Sequence, residues 1–109
     1  MSAATPPATP YRVEYSERVR KRLLVLADIA RQRGDGEEFI SALKEFDRRL
    51  RIYPQFGEPL VDLNKEPGQV WIGIVRPLVM RYGVFDERRL VTEAAIPVLL
   101  PRSKPEDSE

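Results

Sequence analysis

The chain has 109 residues, 42% hydrophobic and 32% charged, with a formal net charge of +1 and neither cysteine nor histidine. That length suits one domain with one core, and the near-zero charge excludes generic polyanion binding, so any nucleic-acid role must rest on local patches. Without His or Cys there is no disulfide framework, no thiolate nucleophile, no hydrolase triad built on them and no zinc site of those ligands.

Residues 1–10 ("MSAATPPATP") and 101–109 ("PRSKPEDSE") are polar and proline-containing. Neither offers a core face, so both are expected to be disordered tails around a folded domain over 11–100. The first ten residues lack the basic start and apolar middle of a secretory signal. No apolar run approaches the roughly 18 residues that cross a bilayer, and a cytoplasmic location is expected.

In "YRVEY", Tyr11, Val13 and Tyr15 alternate with Arg12 and Glu14, which predicts a short half-buried strand. Ser16 offers a capping oxygen and Glu17 suits the positive end of the helix that follows. Over 17–33, Val19, Leu23, Leu26, Ala27 and Ala30 share one helical face, with Leu24 and Ile29 widening it. "GDG" (34–36) breaks this helix. A second begins near Glu37 with Phe39, Leu43, Phe46 and Leu50 on one stripe, and ends before Pro54. So short a turn predicts an antiparallel helical hairpin.

"YPQFGEPLVDLNKEPG" holds three prolines and two glycines and is expected to be a loop. Three strands follow. Val70, Ile72 and Ile74 alternate in the first, and Leu78, Met80, Tyr82 and Val84 in the second; "LVTEAAIPVLL" makes the third. Pro77 and "DERR" mark the turns between them. The order predicts an α+β fold, β-α-α-β-β-β, with the hairpin packed on one face of an antiparallel sheet. The first strand is expected to pair with a strand of the meander. Leu23, Leu26, Leu43, Phe46, Ile72, Ile74 and Tyr82 are the expected core, and Trp71, with Gly73 on its face, leans to the core as well.

The candidate functional side chains are cations. Arg81 alternates with Met80 and Tyr82, so it lies on the face opposite them. It reads as a phosphate-facing cation on an open face, or as a solvated arginine pairing across strands with Glu93; the second is the expectation. Arg76 precedes Pro77 at a turn, Lys65 lies in the proline loop and Arg102 in the C-terminal tail. On the first helix Arg18, Lys21 and Arg22 offer a target- or RNA-binding surface, or simply the charged side of an amphipathic helix. Tyr53 and Phe56 either stack a base or plug a core edge. Asp86 with Glu87 reads as a turn, and no cofactor or metal is called for.

"YRVEYSERVRKRLLVLAD", "ALKEFDRRLRIYPQFGEPLVDL" and "RPLVMRYGVFDERRLV" together resemble the RelE/ParE superfamily of bacterial type II toxin–antitoxin toxins. They correspond to its opening strand with a cationic first helix, its second helix with a proline turn, and its central hairpin. The resemblance covers nearly all of 11–100 and implies a toxin that inhibits growth by binding its target, gyrase in ParE-like members, and is neutralised by an antitoxin. RelE-like members are instead metal-independent endoribonucleases that cut messenger RNA on the ribosome with Lys, Arg and often a C-terminal Tyr. Here Arg76, Arg81, Lys65 and Arg102 stand near those positions. The C-terminal end, "IPVLLPRSKPEDSE", has no tyrosine and few basic residues. A non-toxic stand-alone homologue is a further alternative within the resemblance.

Overall fold

A computed structural model describes residues 9–60 and 68–101. Strand β1 (Arg12–Glu14) leads into helix α1 (Glu17–Arg33) and helix α2 (Gly36–Ile52). A 3-10 turn over Pro54–Phe56 and a short strand β2 (Glu58–Pro59) follow. Then come β3 (Gln69–Val75), β4 (Leu78–Phe85), β5 (Leu90–Glu93) and β6 (Val98–Leu99). The result is α+β, with a helical hairpin and a mixed sheet ordered β1-β5-β4-β3-β2, β6 pairing with the start of β4.

Local chemistry sets the helix ends. The Ser16 hydroxyl accepts from the Val19 N–H (3.1 Å), which satisfies a donor that the first turn leaves open. Gly34 closes α1 at φ 88°, a left-handed conformation that costs glycine little, and its N–H returns to the Ala30 and Arg31 carbonyls. The two helices therefore fold back after a single tight reversal. Phe39, Phe46 and Leu50 of α2 are fully buried, with Leu43 half-buried beside them. On α1, Val19, Leu26 and Ala30 are buried, but Leu24 is 72% exposed and Ile29 is exposed too. The expected widening of that face does not occur, because α1 packs through one narrow stripe.

The β3–β4 and β4–β5 ladders are antiparallel, as expected of a meander. The first strand does join a meander strand, β5, but it runs parallel to it, Val13 beside Val91. Its start is fastened by three separate contacts. The Tyr11 N–H donates to the Arg51 carbonyl (2.8 Å), its hydroxyl donates to Asp86 (2.5 Å), and the Arg89 guanidinium lies 4.3 Å over its ring. The expected third strand splits in two. Glu93 faces Tyr82 and Val98 faces Val79, so residues 94–97 run past only Met80 and Arg81. The Ala94 N–H still reaches the Arg81 carbonyl (2.9 Å), and the double bulge then carries residues 95–97 off β4. The Leu100 N–H then donates to the Pro77 carbonyl (2.7 Å), and Arg22 of α1 donates to the Pro97 carbonyl (3.3 Å).

The core centres on three rings. Phe46 and Phe56 meet edge-on at 5.4 Å, Phe46 and Tyr82 edge-on at 6.2 Å, and Phe56 stacks on Tyr82 at 6.0 Å. All three converge on Gly73. A methyl group there would come within 2.8 Å of Phe56 and 3.0 Å of both Phe46 and Tyr82. The buried Tyr82 hydroxyl donates to the Pro54 carbonyl at 2.6 Å, which ties the sheet to the turn after α2. Burial pushes that hydroxyl's pKa well above its ordinary value.

This packing corrects the expected phase of β3. Its helix-facing residues are Trp71, Gly73 and Val75, and the expected core residues Ile72 and Ile74 lie on the other face, Ile72 half-buried and Ile74 52% exposed. Trp71 packs against the core, as its pairing with Gly73 suggested.

Gly73→Ala is expected to destabilise the fold by about 1–3 kcal/mol through overpacking. Tyr82→Phe should cost about the same by leaving the Pro54 carbonyl without its partner. Urea unfolding midpoints check both, and an unchanged midpoint for Gly73→Ala would show that the rings do not close over that position.

A second staple is electrostatic. The Tyr15 hydroxyl donates to Asp47 (2.5 Å), which also receives Arg51 (2.8 Å). Burial alone would raise the Asp47 pKa, but the hydrogen bonds from Arg51 and Tyr15 and the charge of Arg51 outweigh it and bring it down. A depressed carboxylate pKa contributes stability that is present above about pH 4 and lost as pH falls through the folded value. Asp47→Asn is therefore expected to flatten the loss of stability below about pH 4. Unfolding measured across acid pH checks this; an unchanged acid limb would exclude the staple.

Candidate functional site

The sheet has one face under the helices and, among the described residues, one face open. Side chains directly opposite one another on neighbouring strands share a face, so the registers define the open one. Ile74, Val79 and Val98 form one row across β3, β4 and β6. Glu58, Ile72 and Arg81 form the next, across β2, β3 and β4. Val70, Gly83 and Thr92 form a third. Ile74 and Val98 are 52% and 46% exposed, and Arg81 and Glu58 are exposed with them.

Arg81 thus stands in the middle of an apolar surface. The expected pair with Glu93 does not form. Glu93 lies directly opposite Tyr82, which puts it on the helix side of the sheet, one face away from Arg81. There its carboxylate accepts from the Ser16 N–H (3.4 Å), at the positive end of α1. Among the described residues no ion pair to Arg81 is present. Beside Arg81 the neighbouring chain stays attached through its backbone, the Ala94 N–H donating to the Arg81 carbonyl (2.9 Å), and it leaves β4 only beyond that residue.

Arg76 is elsewhere. It lines a shallow groove with Glu37, Glu38, Ser41 and Glu45, on the helix side of the β3–β4 turn. Arg48 and Arg49 hydrogen-bond Glu45 and hold its carboxyl down at about 2, and Glu37 and Glu38 give the groove its acidic side. The sheet lies between Arg76 and Arg81, and the two do not face one ligand. Lys65 and Arg102 lie outside the described residues.

On α1, Lys21 pairs loosely with Glu17 (3.6 Å), and Arg22 is spent on the Pro97 carbonyl. Arg18 lines a groove beside Glu93 and residues 94–96. Each member of this expected basic surface has an acidic or carbonyl neighbour. Tyr53 is 59% exposed, while Phe56 belongs to the ring cluster with Arg49 5.3 Å above it. Among the described residues no group of His, Cys, Asp or Glu is arranged to hold a metal, and no helix is long and apolar enough to cross a membrane.

Sequence reasoning found Arg81 and its face but missed its company: Ile72, Ile74, Val79, Val98 and Glu58. The signal was Gly73. A glycine inside a strand marks a close approach, and here it identifies the face on which the rings press. No protein-family model, curated protein or solved structure matches the chain.

Because Ile74 is largely in solvent, Ile74→Ser is expected to change stability by less than about 0.5 kcal/mol. Leu78→Ala, at a fully buried position, should cost about 2–5 kcal/mol. Chemical denaturation of the two variants checks the assignment of faces; a large loss in Ile74→Ser would reverse it.

Proposed function

We propose that this chain is a toxin-like component of a type II toxin–antitoxin system, of the RelE/ParE kind, that inhibits growth by binding its target and is neutralised by an antitoxin. One observation carries the choice of binding over cleavage. Among the described residues the open sheet face sets Arg81 among Ile72, Ile74, Val79 and Val98, with Arg12 at the far β1 edge paired to Glu14, while Arg76 is turned to an acidic groove behind the sheet. A ribonuclease without histidine needs several cations around one phosphate to carry the charge that develops there. A binding face needs an apolar centre with a polar anchor, and arginine among aliphatic residues is such an anchor. Gyrase is the target that the ParE resemblance implies, and the ribosome with its messenger is the RelE alternative.

Tightly controlled expression is expected to arrest growth without ribosome-bound messenger cleavage. Ile74→Asp and Arg81→Ala, both at exposed positions, are expected to relieve the arrest while leaving the fold intact, with ~2 kcal/mol lost from binding if Arg81 is a hot spot. Growth curves, messenger cleavage mapping and a gyrase supercoiling assay read the three outcomes. Messenger cleavage that disappears in Arg81→Ala would make the chain an enzyme; no arrest at all would make it a non-toxic homologue.

A further inference from the structure

We propose that the open face of the sheet binds a second copy of this chain, face to face, about a two-fold axis that runs along β3. The row Glu58, Ile72, Arg81 crosses three neighbouring strands in register. It reads acid, apolar, base, with about 4.8 Å from each strand to the next. Within one chain Ile72 separates the two charges, and among the described residues neither Glu58 nor Arg81 forms an ion pair.

A half-turn about an axis lying in the face, along β3 through Ile72, exchanges the two ends of that row. Arg81 then meets Glu58 of the second copy, and Glu58 meets its Arg81. Ile72 packs on Ile72 and Ile74 on Ile74, so each chain covers the other's exposed Ile74. This is the self-complementary arrangement that a closed two-fold dimer requires. The other in-plane axis, across the strands, would set Arg81 against Arg81 and Glu58 against Glu58. Like charges facing each other in a closing interface oppose association, so charge selects the axis. The face is only a few strands wide, which places the dimer among weak, reversible associations. The inference is independent of whether the chain arrests growth.

Sedimentation velocity of the full chain over about 1–500 µM, the range for small interfaces, is expected to show monomer–dimer exchange. Arg81→Glu and Glu58→Arg each put like charges into both contacts and should weaken the dimer about tenfold or more, with unchanged circular dichroism. An equimolar mixture of the two variants should recover association. One variant carries two acids and the other two bases, so both contacts of the mixed dimer are opposite in charge. A wild type that stays monomeric throughout overturns the proposal, even where another partner is found to occupy the same face. A dimer indifferent to both variants, or a mixture that fails to recover, overturns it equally.

Discussion

The fold depends on three aromatic rings pressing on one glycine. Phe46 comes from α2, Phe56 from the turn after it and Tyr82 from β4, so their contact joins three elements distant in sequence. Gly73 is the floor on which they meet, and a side chain there would hold the helix off the sheet. The Tyr82 hydroxyl completes the arrangement by reaching the Pro54 carbonyl. Such a cluster fixes orientation as well as burying area, since each ring edge finds another's face. Once α2 is seated, Trp71 and Val75 must turn inward with Gly73, and Ile72 and Ile74 must turn out. The character of the open surface follows from the packing of the covered one.

Much of this was legible in the residues. Ser16, Gly34 and Pro54 announced the helix ends, and Leu78, Met80, Tyr82 and Val84 announced the buried side of β4 through clean alternation with Arg81. β3 was not legible in the same way. In "QVWIGIV" both alternating sets are apolar, so periodicity cannot say which faces the helices. Volume decides it: rings above need a glycine beneath. The split of the last strand was hidden as well, because "LVTEAAIPVLL" keeps its apolar character through the bulge. The expected Arg81–Glu93 pair fails by one step of register: Glu93 falls opposite Tyr82 and so takes the other face.

The cations show why composition is a poor guide to a site. Counted along the sequence they look abundant, yet the fold disperses them. Arg22 is fixed to a backbone carbonyl, Arg48 and Arg49 to Glu45, Arg51 to Asp47, and Arg89 to the ring of Tyr11. These contacts brace surface elements against one another, and each removes a charge from the pool that a phosphate would find. Arg81 is set apart by its surroundings: aliphatic neighbours and, among the described residues, no ion pair.

The prolines near the sheet margins have a further consequence. Along β6 the Leu100 N–H points into the sheet toward Pro77, so by alternation Pro97, Leu99 and Pro101 direct their backbone groups outward. Two of those three have no N–H to give, and the Pro97 carbonyl is already taken by Arg22. On the opposite margin the Leu60 N–H points in toward Val70, which turns Pro59 outward. An incoming strand would find one donor on β6 and none from Pro59, too few to seed a ladder. These two margins are thereby guarded against strand addition, while the broad flat side is left available. Assembly through that side closes on itself, and assembly along the margins, which would not, is the kind that the prolines of β6 and β2 blunt.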